Sequence, residues 1–293
     1  MRTVTVKSPG SCGEFIQGIY QEQPCLVSCP IDLYSNIRIV EGPATRMLDT
    51  KAVQMLDLIF SEYSIPREEK HHINIQMSSE IPIEKGMASS TADIAGIARG
   101  LSAYYDLGLS DKTIAELCVF IEPTDNIMFE RLNLFNHVCG DVLMNFEAQL
   151  EAQILIVEFK GAVNTMNFHR QQDGYTREEV DRFEAVLNLF KQGLRDKNLD
   201  AIGRACTESA RLNQKILYKP HLEALAALSE AFGGHGGIIT GHSGTVIGVL
   251  YSEEAFDYTA FMQRFLDVVP KQDYDALFLK NIIPGGLRVS IEN

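Results

Sequence analysis

The stretch Ile81–Ala95, IPIEKGMASSTADIA, sets a proline, a lysine, a glycine and two adjacent serines against the start of a small-residue helical pattern. Pro82 stiffens the approach, Gly86 admits backbone angles closed to other residues, and Ala88–Ala92 keep side chains short. A helix opening at Ser89 turns its first N–H groups, and the positive end of its dipole, towards whatever lies before it. Such a mouth suits an anion, above all a phosphate. The alternative is a tight turn with a Ser N-cap. Lys85 and the Ser89–Ser90 pair favour the cradle.

Two further segments are rich in glycine and turn formers, Ser8–Gly18 (SPGSCGEFIQG) and Gly233–Gly244 (GGHGGIITGHSG). Together the three suggest backbone converging on one ligand, against the alternative of three unrelated turns. Glu122 and Asp125, in IEPTDN, are the carboxylates worth naming. One acid of such a pair can bind Mg²⁺ while the other accepts a proton. By spacing alone they also read as a solvated helix end and an Asp turn. His235 and His242 read first as turn or surface residues and only second as ligands.

Periodicity gives the elements that must hold these residues. Strands are expected at Thr3–Val6, Leu26–Cys29, Asn36–Val40 and His72–Ser78, with Ser8–Gly18 as a loop. Met47–Tyr63 has a helical stripe at Val53, Leu56, Ile59, Phe60 and Tyr63. Helices follow at Ser89–Leu107 and Ser110–Glu122, with Gly108 as the stop between them. Asp141–Phe146 and Gln153–Phe159 could pair as strands, and Thr165–Tyr175 reads as a connection between domains. Thr176–Lys191 opens with the capping box Thr176-x-x-Glu179. More helices are expected at Asn198–Leu217, Pro220–Phe232 and Ser252–Leu266, and strands after Gly233 and at Leu287–Ile291. The order is mixed, so the class is α+β in two domains.

Composition narrows the function. The 293 residues are 45% hydrophobic and 22% charged, as in an ordinary globular protein. A net charge of −13 without a basic run argues against a nucleic-acid or anionic-membrane surface. No apolar run would span a bilayer, and MRTVTVKS reads as a strand rather than a signal peptide. Six cysteines without a CxxC pair are expected to be reduced, buried thiols of a cytoplasmic protein. GxxxxGK[ST], GxGxxG, HRD, DFG and GxSxG are all missing, which excludes the common nucleotide-loop, protein-kinase and serine-hydrolase signatures.

Taken together, the three glycine segments resemble the signature motifs of the GHMP kinase family. Pro82-x-x-x-Gly86-Met87-Ala88-Ser89-Ser90-Thr91-Ala92 is similar to that family's P-x-x-x-G-L-G-S-S-A-A loop. Ser8-Pro9-Gly10 with Gly13-Glu14 resembles its first motif, and Thr240-Gly241-His242-Ser243-Gly244 its third. Met87 and Ala88 stand where the family has Leu and Gly, and Ser11 where many relatives carry a basic residue. SPGSCGEFIQG, KGMASSTADIAG and IEPTDN look closest to the branch that phosphorylates L-threonine for cobalamin synthesis.

The resemblance implies an S5-like N-terminal domain, residues 1–160, and a ferredoxin-like C-terminal one, residues 161–293, with the site in their cleft. It implies that Pro82, Ile83, Glu84, Lys85, Gly86, Met87, Ala88, Ser89, Ser90, Thr91 and Ala92 hold the phosphates of ATP. Ser89 or Ser90 and Glu122 would bind Mg²⁺, with Asp125 near the acceptor hydroxyl. Glu14 would take the ammonium of an amino-acid substrate, with Gly241 and Ser243 beside it. Homoserine, serine or mevalonate-type alcohols remain open as acceptors, as does a nucleotide-binding regulatory module without turnover. A homodimer also stays open.

Overall fold

Two long strands, β1 (Thr3–Tyr20) and β2 (Gln23–Glu41), form the hairpin on which the rest is built. Gln21 and Glu22, both with positive φ, make the two-residue turn whose twist suits such a hairpin. The computed structural model describes residues 2–161, 175–232, 236–241 and 243–292. His235, His242 and most of the expected connection Thr165–Tyr175 lie outside them.

The expected Ser8–Gly18 loop is a strand. Its register shifts at Pro9/Gly10, Ser11/Glu14 and Glu14/Ile16 are bulges, which let Pro and Gly stay inside a ladder. The separate strands expected at Leu26–Cys29 and Asn36–Val40 are one strand, β2. β3 (Ile73–Ser79) pairs with β2, as do β4 (Asn133–Asn136) and, through β4, β5 (Asp141–Asn145).

β6 (Gln153–Phe159) does not pair with β5, as its spacing suggested. It lies between β8 (Val246–Tyr251) and β9 (Tyr274–Asn281), reached from β1 through β7 (Ile238–Thr240). β10 (Arg288–Glu292) returns to β1, so one ten-stranded sheet runs the length of the molecule.

Seven α-helices cover this sheet among the described residues: α1 (Thr50–Glu62), α2 (Ser89–Tyr104), α3 (Asp111–Ile121), α4 (Arg177–Asp196), α5 (Leu199–Leu212), α6 (Leu222–Phe232) and α7 (Tyr258–Val268). The α4 capping box forms as its sequence dictates, with Thr176 and Glu179 exchanging backbone bonds. The last helix starts six residues later than expected, where Asp257 caps it. On α1 the buried face is Ala52, Met55, Ile59 and Phe60, and Val53 is exposed.

α2 lies unusually close to the hairpin. A Cβ on Gly96 would sit 2.6 Å from Ile37 Cγ1, so only a residue without a side chain fits there. That packing fixes the mouth of α2 relative to β1 and β2. Further along β1, Phe15 and Phe190 rings stand 5.6 Å apart and Phe146 meets Phe190 at 5.7 Å, tying α4 to the same strand. Burying each such ring is worth roughly 1.5–3 kcal/mol. No helix among the described residues is long and apolar enough to cross a membrane.

Candidate active site

The three glycine segments meet. Ser11 N–H donates to Met87 O at 3.0 Å, and Glu14 pairs with Thr240 across the β1–β7 ladder. Thr245 and Val246 N–H groups both donate to Lys85 O, at 3.0 and 3.2 Å. Gly86, at φ +76°, would place a Cβ 2.8 Å from the Gly244 backbone. Two glycines therefore face each other where the second and third motifs cross. His242, between them in sequence, lies outside the described residues.

A cleft of about 530 Å³ opens beside this crossing. The left-handed Ala88 (φ 59°) turns the chain into α2, a conformation that costs an alanine roughly 1–2 kcal/mol and a glycine nothing. This is the position where the family pattern carries Gly. Ala92 N–H is bonded to Ala88 O at 2.8 Å, so by helix geometry the N–H groups of Ser89, Ser90 and Thr91 point out of the helix end. Ile83, Glu84, Gly86, Met87, Ala88, Ser89, Ser90 and Thr91 line the cleft.

Lys85 does not supply charge there. Its ammonium is turned away, 3.2 Å from Glu158, 3.3 Å from Asp275 and 2.9 Å from Phe159 O. Lys85 and Glu158 are both largely buried, so each neutralises the other and swinging Lys85 out would strand a charge. Pro82 and Ala92 are likewise absent from the residues that line the cleft.

The carboxylates do come to the cleft. Glu122 is the C-cap of α3, its N–H on Cys118 O at 3.0 Å. Its carboxylate accepts from Ser90 Oγ and, at 2.6 Å, from Lys51 Nζ, which also reaches Ser90 Oγ at 3.0 Å. Beyond Pro123, Thr124 bonds to Thr91 hydroxyl to hydroxyl at 2.8 Å, and Asn126 is locked to Ser28 and Asn133. Asp125 is thereby fixed against β2, where Ser28 Oγ donates to its Oδ1 at 3.1 Å.

Burial, and then the neighbouring Glu14 carboxyl, hold Asp125 well above the usual carboxylate range, with the Ser28 bond pulling the other way. Glu14 is itself buried, so the two neighbouring carboxyls oppose each other's ionisation. Asp93, also in the cleft, is raised by burial against a bond from Ser35, with Asp49 adding to the rise.

Ser243 lines the cleft, whereas Gly241 lies behind it with its carbonyl held by Lys219 Nζ at 2.7 Å. Lys219 also donates to Gly244 O, and burial lowers its pKa to about 8 while Glu14 opposes the shift. Lys51, Lys219, Gln17, Asp49, Asp93 and His137 were not singled out from sequence. Gln17 and Asp93 lie inside the first and second motif segments without belonging to the family pattern, whereas Lys51, Asp49, Lys219 and His137 lie outside all three segments and only the fold brings them near. Gln17 lines the cleft with its side-chain oxygen buried and unpaired.

Chemically, the arrangement pairs a donor-rich helix mouth with a carboxylate–hydroxyl set and a separate buried carboxyl, Asp125. One carboxylate and one hydroxyl, Glu122 and Ser90, fit a Mg²⁺ that keeps most of its shell as water and phosphate oxygen. No cluster of three or more His, Cys, Asp or Glu among the described residues could hold a metal unaided. The cysteines take no part: Cys12, Cys25, Cys29, Cys118 and Cys206 are buried free thiols, with burial pushing Cys25 up to about 12, and only Cys139 is exposed.

The profile of the GHMP kinases N-terminal domain matches residues 50–130, the span from α1 through the cleft carboxylates. An L-threonine kinase of Citrobacter freundii is 33% identical over 250 residues, 85% of this chain and 86% of that protein. One from Salmonella typhimurium is 30% identical over 285 residues, 96% of this chain and 94% of its own. A homoserine kinase structure from Cytophaga hutchinsonii superposes with a TM-score of 0.70 at 13% identity, covering 98% of this chain and 97% of that one.

Proposed function

The chain belongs to the GHMP kinases and has their α+β fold, and on that premise we propose that it transfers the γ-phosphoryl group of ATP to the side-chain hydroxyl of L-threonine. The products are L-threonine O-3-phosphate, ADP and a proton. The observation that carries this reading is the single cleft holding the α2 mouth, the Ser90–Glu122 pair and Asp125. The two L-threonine kinases matching most of the chain support the acceptor, and homoserine, serine and mevalonate-type alcohols remain its competitors.

The N–H groups of Ser89, Ser90 and Thr91 hold the phosphates and the α2 dipole favours their charge. Mg²⁺ at Ser90 and Glu122 would neutralise charge on the transferring group. Ser89 serves the phosphates from the same turn. Asp125 accepts the hydroxyl proton, and Ser28 and the Asn126 anchor keep it in place. Glu14 takes the substrate ammonium. That cation relieves the repulsion between Glu14 and Asp125, so binding the amino acid favours the ionised Asp125 that the transfer needs.

The retained pair of Glu122 and Asp125 argues against a regulatory module, because a nucleotide sensor needs no proton acceptor. We further place the work of the enzyme in the cytoplasm, in the supply of a threonine phosphate to cobalamin synthesis, and divide the chain into domains of 1–160 and 161–293. The strand β6 would then pack with the second domain and β10 with the first. Release of ADP by the purified protein with L-threonine tests the function. No ADP with any hydroxylated metabolite would favour the module.

A further inference from the structure

Lys51 stands at the first turn of α1 and reaches two other elements, Ser90 on α2 at 3.0 Å and Glu122 at the end of α3 at 2.6 Å. Ser90 also donates to Glu122, so the three side chains form a closed ring. Around the cleft stand six carboxylates, Glu14, Asp49, Glu84, Asp93, Glu122 and Asp125, and Lys51 is the one lysine or arginine among the described lining residues. A polyphosphate entering this cleft meets net negative charge unless a cation comes with it.

The ammonium holds the oxygens that a Mg²⁺ at Ser90 and Glu122 would need. Mg²⁺ requires near-octahedral oxygens at about 2.0–2.1 Å, and a Lys⁺ bonded to the same carboxylate both competes for lone pairs and repels the ion. Lys51 is about one-third exposed on a flexible four-carbon stem, whereas Glu122 is mostly buried, so the lysine is the partner able to move. The anion within its reach is then the phosphate chain at the mouth of α2.

We propose that Lys51 is a phosphate-binding residue that guards the metal site: it occupies Ser90 and Glu122 until a nucleotide arrives, then crosses to the phosphates and leaves those oxygens to the metal. This rests on the nucleotide-cleft reading above. By linkage, metal and nucleotide bind cooperatively, because each removes the ammonium from the other's way. The free ion alone binds weakly.

Mn²⁺ binding to the purified full chain, followed by electron paramagnetic resonance with and without ADP, tests this directly. Lys51→Met should bind Mn²⁺ about 10-fold more tightly than wild type when no nucleotide is present, and ADP should no longer strengthen that binding. Lys51→Arg, which keeps the charge, should behave as wild type. Adding Glu122→Gln to Lys51→Met should abolish the gain, which locates the ion. Unchanged or weaker Mn²⁺ binding in folded Lys51→Met would overturn the proposal, as would equal gains in Lys51→Met and Lys51→Arg. The expected Mn²⁺ pattern in a protein that releases no ADP with any acceptor would support the guard and refute the kinase.

Discussion

The carboxyl of Asp125 is buried beside the carboxyl of Glu14, next to the helix mouth that faces the cleft. Two buried carboxyls so placed do not both ionise readily, and Asp125 is the one held towards its protonated form. A group that must accept the alcohol's proton has to lose its own first. Turnover at low acceptor concentration should therefore rise with pH through the raised Asp125 titration, and Asp125→Asn should lose this limb. The same substitution should lower kcat by about 10²–10⁴-fold while ATP binding is kept. A loss of only ~10-fold would make Asp125 a positioning group, since a dissociative transfer asks little of a base.

The pair also sets a sign for stability. A carboxyl whose folded pKa lies above its unfolded value stabilises the fold fully below the unfolded value, about 3.9, and loses that contribution as pH rises through the folded one. Asparagine imitates the protonated form at every pH. Asp125→Asn should thus show little gain in melting temperature near pH 4 and a growing gain over wild type as pH rises from there through the raised titration. Parallel melting curves across that range would contradict the raised Asp125 titration.

Gly86 offers a test of the cradle. Its φ of +76° disfavours any β-branched residue, and a Cβ there would press on the Gly244 backbone at 2.8 Å. Gly86→Val should part the second and third motifs and abolish ATP binding, measured by calorimetry on protein with native circular dichroism. Tight ATP binding by a folded Gly86→Val protein would remove the loop from the mechanism.

Glu122→Gln keeps the shape of the side chain and removes its charge. The ion pair with Lys51 is lost, and with it the anionic ligand proposed for Mg²⁺. Activity should fall by at least about 10²-fold, with the Mg²⁺ requirement shifted to higher concentration and the thermal midpoint moved by only a few degrees. Normal turnover with normal Mg²⁺ dependence would leave Glu122 as a plain helix end.

Legibility from the sequence followed the range of each interaction. Local rules served well: Ser110 caps α3, Thr176 and Glu179 box α4, and the Ser89 helix opens where its small residues begin. The motif residues Glu14, Gly86 through Thr91, Glu122, Asp125 and Ser243 all reach one cleft. Long-range pairing was hidden. Nothing in Gln153–Phe159 tells that it lies between strands from residues 246–251 and 274–281, and β4 and β9 carried no distinct alternation. Ser8–Gly18 looked like a loop because glycine and proline mark turns, yet bulges absorb them within a strand. Lys85 shows the same limit for side chains. Its place beside the glycine suggested a phosphate contact, but Glu158, 73 positions away, claims the ammonium. Lys51 was silent for the same reason, because its partners, Ser90 on α2 and Glu122 at the end of α3, are distant in sequence.

The central claim is the transfer of phosphate to L-threonine. One preparation should be given ATP and Mg²⁺ with L-threonine, L-homoserine, L-serine or mevalonate, and kcat/KM read from ADP release, with the product identified by phosphorus resonance. The account predicts that L-threonine gives the largest value and that its product is a phosphate monoester on the side-chain oxygen. A clear preference for homoserine or mevalonate would contradict the threonine assignment while leaving the kinase, and no turnover with any acceptor would contradict both.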